Sequence, residues 1–227
     1  MLSPSRSATR DLWVFSGLLA PLVAWSAWGP KDRFTWWLET GPVFVALGLA
    51  WAVRTRFALS RLLLGLLWLH AVLLLVGGHY TYAEVPLGDW VRELCGGTRN
   101  NYDKLGHFAQ GFGPALFVRE LLLRTSPLGN EQGRTLSRWV GFLAGSVTLA
   151  FSAVYELIEW GAAISSGEAA EAFLGTQGYV WDTQSDMGWA LVGAVVALVF
   201  FTRWHDRSLA RVGSDGGMRR PRPTATE

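Results

Sequence analysis

Between clusters of charge the chain runs through six apolar stretches, at 12–28, 36–53, 62–78, 105–123, 139–162 and 187–202. Wound as a helix, a stretch of roughly 20 apolar residues matches the hydrocarbon thickness of a bilayer. There is no water there, so each segment must satisfy its own backbone hydrogen bonds, which a helix does. The reading is an all-α membrane protein with six transmembrane helices. Composition agrees: half of the 227 residues are apolar and 17% are charged, against both an ordinary soluble domain and a disordered chain. Of 13 tryptophans, several stand at the ends of the stretches, among them Trp13, Trp28, Trp36, Trp139, Trp160, Trp181 and Trp204, where the ring meets the membrane interface. Arg6 and Arg10 ahead of the first stretch resemble a signal peptide, yet no small-x-small cleavage site follows, so the stretch counts as a span. A lone cysteine, Cys95, forms no intrachain disulfide.

Six spans return both termini to one side. Of the 20 basic residues, all but Lys31, Arg33, Arg92, Arg99 and Lys104 fall on that side, so the positive-inside rule places both termini in the cytoplasm of a bacterial cell (inner) membrane. Three regions follow: a cytoplasmic N-terminal segment at 1–11, a polytopic domain at 12–203, and a basic tail at 204–227. From Ser208 onward the tail, with Gly213, Gly216, Gly217, Pro221 and Pro223, lacks apolar residues and reads as disordered, or alternatively as a contact for anionic headgroups. Between the third and fourth spans, Leu87, Trp90, Val91 and Leu94 recur at helical spacing opposite Asp89, Arg92 and Glu93. That pattern predicts a short interfacial helix stopped at Gly96 and Gly97. Gly141 and Gly145 form a GxxxG pair suited to helix packing.

Ionisable groups inside spans are costly, so each needs a partner, water or a job. Asp103, His107 and Gln110 fall on one helical face at the outer start of the fourth span. Tyr155, Glu156 and Glu159 share a face near the outer end of the fifth, and Asp182 and Asp186 stand one turn apart at the start of the sixth. Carboxylates gathered around an imidazole need compensating charge. Lys104 supplies one unit and a divalent metal would supply two. His with carboxylates suits Zn or Mn, and carboxylates alone suit Mg. The candidate metal ligands are Asp103, His107, Asp182 and Asp186; the candidate catalytic groups are His107, Glu156 and Glu159; Tyr155, Gln110, Lys104 and Gln184 are candidate substrate contacts. Interhelical hydrogen-bond glue is the competing reading of the same residues.

Glu39 joins this cluster or sits at headgroup level, and His70 reads as a neutral, hydrogen-bonded group in mid-span. His79 and His205 read as surface groups, and Arg119 with Glu120 as an ion pair. Ser165 and Ser166 have no His partner at useful spacing, which argues against a serine hydrolase. The 165–181 loop is either a lid with a helical turn or two at 168–174, or an ordinary connection.

The segments GGHYTYAEVPLGDW at 77–90, NYDKLGHFAQGFGPA at 101–115, YELIEW at 155–160 and FLGTQGYVWDTQSDM at 173–187 closely resemble the YjdF-like bacterial inner-membrane family. That resemblance implies a multi-span membrane protein and carries no assigned activity. A weaker likeness is to VanZ-like membrane proteins, whose motif order matches Asp103-Lys104-x-x-His107, Glu156-x-x-Glu159 and Asp182-x-x-x-Asp186, with Glu159 in place of a Gln and Asp186 in place of an Asn. It implies an association with envelope lipids or cell-wall precursors. The expected partners are the bilayer and an envelope lipid or lipid-linked precursor, not nucleic acid. Metal-assisted hydrolysis or transfer on such a lipid is one functional reading. A proton- or cation-coupled transporter and a purely structural protein are the others.

Overall fold

The computed structural model describes residues 6–129, 134–166 and 176–215. Among them are eight α-helices: α1 (Arg6–Ala27), α2 (Arg33–Val53), α3 (Arg61–Tyr80), α4 (Pro86–Leu94), α5 (Tyr102–Thr125), α6 (Arg134–Ser166), α7 (Asp182–Phe200) and α8 (Thr202–Asp215). The apolar stretches fall on α1, α2, α3, α5, α6 and α7, and α4 is the short helix expected between the third and fourth. Four of these, α2, α3, α6 and α7, are long and apolar enough to cross a membrane. Lower apolarity sets the other two apart: α1 carries Arg10 and Asp11, and α5 carries charge at both ends. Asp32 caps α2 by accepting from the Thr35 amide at 2.7 Å, which holds its carboxyl below the usual range. Pro86 opens α4, where a missing N–H costs nothing.

The helices pack as two groups of three, α1–α3 and α5–α7, joined where α3 lies on α5. In the first group the Ser26 hydroxyl donates to the Leu75 carbonyl at 2.6 Å and accepts from the Trp36 indole at 2.8 Å. In the second, α5 and α7 approach along small residues, with Ala115, Ala190, Ala194 and Ala197 fully buried. A Cβ on Gly111 would lie 1.7 Å from the Ala190 carbonyl oxygen, and one on Gly193 would lie 2.1 Å from that of Phe108. The close-packing glycines are therefore these two and not the GxxxG pair: nothing lies within 4 Å of a Cβ on Gly141, and one on Gly145 meets Leu198 at an ordinary 3.8 Å. Phe142, Val154, Leu157 and Val195 stay exposed on the bundle's outside, as they should against lipid. Pro42 and Pro114 interrupt α2 and α5.

A second charged cluster ties α8 to the bundle and corrects three expectations. Arg119 and Glu120 do not pair with each other: Arg119 reaches Asp206 at 2.7 Å, while Glu120 accepts from Arg124 at 2.6 Å and from the Ser60 amide at 3.1 Å. His205 is fully buried between them, its Nε2 3.1 Å from Glu120 and its Nδ1 3.0 Å from Arg119. The chain from Ser208 to Asp215, expected to be disordered, continues α8, and the Leu62 amide donates to the Ser208 hydroxyl at 3.1 Å. This part of the tail gains partners that its composition does not announce. His79 is half-buried, stacked on Trp25 at 4.4 Å. Ser165 donates to the Gly161 carbonyl at 2.8 Å.

Candidate functional site

α5 begins with two charged residues in its first turn, and the start of α7 brings two more acids alongside. Lys104 Nζ lies 2.6 Å from Asp182, 2.5 Å from Asp186 and 3.2 Å from Asp103. Arg99 bridges Asp103 at 2.9 Å and Asp182 at 2.6 Å. All five side chains are largely buried, so charge neutralisation among them is obligatory. Three carboxylates and two cations leave one negative charge over. Asn100 holds the segment in place, donating to the Val85 carbonyl at 3.0 Å and exchanging backbone hydrogen bonds with the Gln177 amide at 3.0 and 2.9 Å. Arg99 also donates to the Thr176 carbonyl at 2.9 Å, and the Tyr179 ring covers Arg99 and Lys104 at 5.4 and 5.9 Å. The described end of the 165–181 loop thus rests on the cluster. Its middle, with the turns expected at 168–174, lies outside the described residues.

One turn further along α5 sits His107. Its Nδ1 is 3.0 Å from the Gln110 side-chain oxygen, which also accepts from Ser152 at 3.4 Å. The Gln110 oxygen accepts from Nδ1–H, and Nε2 faces Asp103 at 3.5 Å and Asp186 at 3.8 Å. Ligand atoms of Asp103, His107 and Asp186 all lie within 4.8 Å of one another. A carboxylate oxygen of Glu156 is buried without a hydrogen-bond partner, 3.8 Å from His107 Nδ1. Glu39 is buried too, within reach of the Tyr82 and Tyr155 hydroxyls, so it belongs with the cluster and not at headgroup level. Burial and the neighbouring Glu39 push the Tyr82 phenol well above its ordinary value, which keeps it a neutral donor.

A cavity of about 790 Å³ opens from this end of the bundle between the two helix groups. His107, Gln110, Tyr155, Glu159 and Asp186 line it at one end, and His70 lines it deeper, its Nε2 buried with no partner. His70 therefore lacks the hydrogen bond expected of a neutral core histidine on that nitrogen.

Of the sequence-derived candidates, Asp103, Lys104, His107, Gln110, Glu156, Asp182 and Asp186 come together, with Tyr155 and Glu159 on the cavity wall. Asp182 pairs with Arg99 and Lys104 and is not part of the three-ligand group. Gln184 is exposed on α7, apart from the rest. Sequence reasoning missed Arg99, Tyr82 and Asn100. Arg99 stands one turn before Asp103, a spacing that could have found it.

Buried carboxylates and an imidazole between apolar helices define the class: a helical membrane protein with a buried acidic/His cluster. The chain belongs to the family described as predicted membrane protein (DUF2238), whose model matches residues 12–207. It is also 50% identical over 182 residues to the inner membrane protein YjdF of Escherichia coli (strain K12), covering 80% of this chain and 84% of that protein. No solved structure matches.

Proposed function

We propose that the cluster holds a divalent cation and supports metal-assisted hydrolysis or transfer on a lipid-linked envelope substrate. The observation that carries this reading is the Gln110 contact: it orients His107 as metal-ligating histidines are oriented, with the other nitrogen aimed at Asp103 and Asp186. Asp103, His107 and Asp186 are the ligands, and the ion would supply Lewis acidity and offset the surplus negative charge. Glu156, with an unpaired oxygen beside His107, is the group to take a proton from the attacking water or hydroxyl. Lys104 and Arg99 hold the ligand carboxylates Asp103 and Asp186 in place, and Asp182, paired with both cations, is a positioning group.

Purified protein loaded with Mn or Zn is expected to retain close to one ion per chain by elemental mass spectrometry. His107→Ala and Asp186→Asn should lose it, and Gln110→Leu should bind it roughly 10–100-fold more weakly. Metal-free, monodisperse wild type after supplementation with Zn, Mn and Mg would sink the reading. A second reading, proton- or cation-coupled transport, is favoured by His70, whose unpartnered nitrogen lies further along the same cavity.

The reading places six spans in the bacterial inner membrane with both termini cytoplasmic, α4 lying at the outer interface and the cluster toward the outer leaflet. Exposed Cys95, the protein's sole cysteine, reports on this directly. It should react with a membrane-impermeant maleimide in intact spheroplasts, with Cys95→Ser as the blank. Protection until lysis would reverse the orientation.

A further inference from the structure

The cavity is more than a space around the cluster. Among its lining residues on α5 are Asp103 and Thr125, which are 22 residues apart along the helix. At about 1.5 Å per residue that is about 33 Å, close to the ~30 Å apolar thickness of a bilayer. Beyond its polar end the walls are mainly apolar, among them Val43, Leu67, Leu74 and Phe117, with His70 partway along and Arg56 and Thr125 at the far end. Its volume falls among those of small-molecule sites, roughly 300–1,000 Å³.

One side is open. Among the described residues α2 and α6 make no extended contact, while the two helix groups close against each other at α3 and α5. Val45 and Leu49 on α2 and Phe151 on α6 line the cavity and yet are 64%, 60% and 53% exposed. Apolar side chains that face both the cavity and the outside mark a side opening, and what surrounds such a helix pair is lipid. Water filling a slot of this length would find hydrogen-bond partners at its two ends and at His70, with apolar wall in between.

We infer that the cavity is a binding site for the hydrocarbon chain of a single lipid, which passes between α2 and α6 and lays its polar head against the His107 end. The cavity-facing groups at that end are acids, phenols, an imidazole and an amide; Arg99 and Lys104 do not line it. A hydroxyl-bearing head binds there directly, whereas a phosphate head needs a cation between itself and the carboxylates. The chain site stands independently of the proposed metal chemistry, and the head preference rests on it.

The test uses full-length protein in phosphatidylcholine nanodiscs, with hexadecanol carrying a diazirine at its chain end. Crosslinks are expected on cavity-lining residues of α2 and α5. Ala46→Trp, which fills the cavity from α2, should cut them roughly tenfold, equivalent to about 1.4 kcal/mol of binding. Leu191→Trp, on an exposed face of α7 outside the cavity, should leave them unchanged. The wild-type crosslink map is decisive even if a variant misfolds: labels spread evenly over the lipid-facing surface overturn the inference, as does an undiminished signal in Ala46→Trp. Hexadecyl phosphate with the same diazirine, with and without Mn, separates the two claims. Cavity labelling that needs Mn supports both. Cavity labelling by the alcohol and equally by the phosphate without Mn supports the chain site and counts against the metal. Surface-wide labelling beside stoichiometric Mn does the reverse.

Discussion

Lys104→Met is expected to lose about 3–5 kcal/mol of stability, the cost of leaving a buried ion pair half made. The ammonium is shared by Asp182 at 2.6 Å and Asp186 at 2.5 Å, and both carboxylates are buried. Arg99 pairs with Asp103 and Asp182, so a methionine takes from Asp186 the lysine that offsets its charge in a low-dielectric site. The readout is the fraction of monodisperse protein in detergent, followed by thermal unfolding of that fraction. Adding Asp182→Asn and Asp186→Asn to Lys104→Met should restore much of the loss, because amides carry no charge to strand. Wild-type stability in Lys104→Met alone would show that the acids are neutralised by something other than this lysine.

Gly193→Val should be at least as damaging, for a steric reason. Even a Cβ at 193 would meet the Phe108 carbonyl oxygen at 2.1 Å, and that oxygen belongs to helix backbone that no rotamer change can move. α7 would have to back away from α5, opening the seam of buried alanines and separating Asp182 and Asp186 from Lys104. Overpacking of a deformable core costs about 1–3 kcal/mol, and two rigid backbones offer less relief than that. Gly111→Ala should behave alike, against the Ala190 carbonyl. Gly141→Ala, with open space around it, is the control expected to match wild type in thermal unfolding. A folded, wild-type-like Gly193→Val would mean the two helices are not in backbone contact.

Much of this architecture is legible in the sequence, because the bilayer imposes one rule on every span and the apolar stretches obey it. The site is legible for a related reason. Asp103, His107 and Gln110 share a face through local geometry, and polar groups on lipid-exposed helices have few places to go but inward. Pairings between helices were not legible. Arg119 and Glu120 look like partners as sequence neighbours, but adjacent residues on a helix point about 100° apart: Arg119 reaches Asp206 on α8, and Glu120 takes Arg124 one turn on, the Ser60 amide and His205. His205 reads as exposed because α8 is polar, and only the docking of that helix buries it. The packing glycines escaped for want of a motif: Gly111 and Gly193 answer each other across a helix pair, and no spacing within one chain segment records that.

The two prolines bear on how the molecule can change shape. Pro114 cannot return a hydrogen bond to the Gln110 carbonyl, nor Pro42 to that of Leu38, and both rings face the cavity. Each wall of the slot is therefore weakest where it borders the slot, near the middle of each helix. Flexing at these two joints would widen or narrow the channel while both charged clusters, which lie toward the ends of α5, stay intact. A guest of the wrong girth would be met by bending, and the rest of the bundle would hold still.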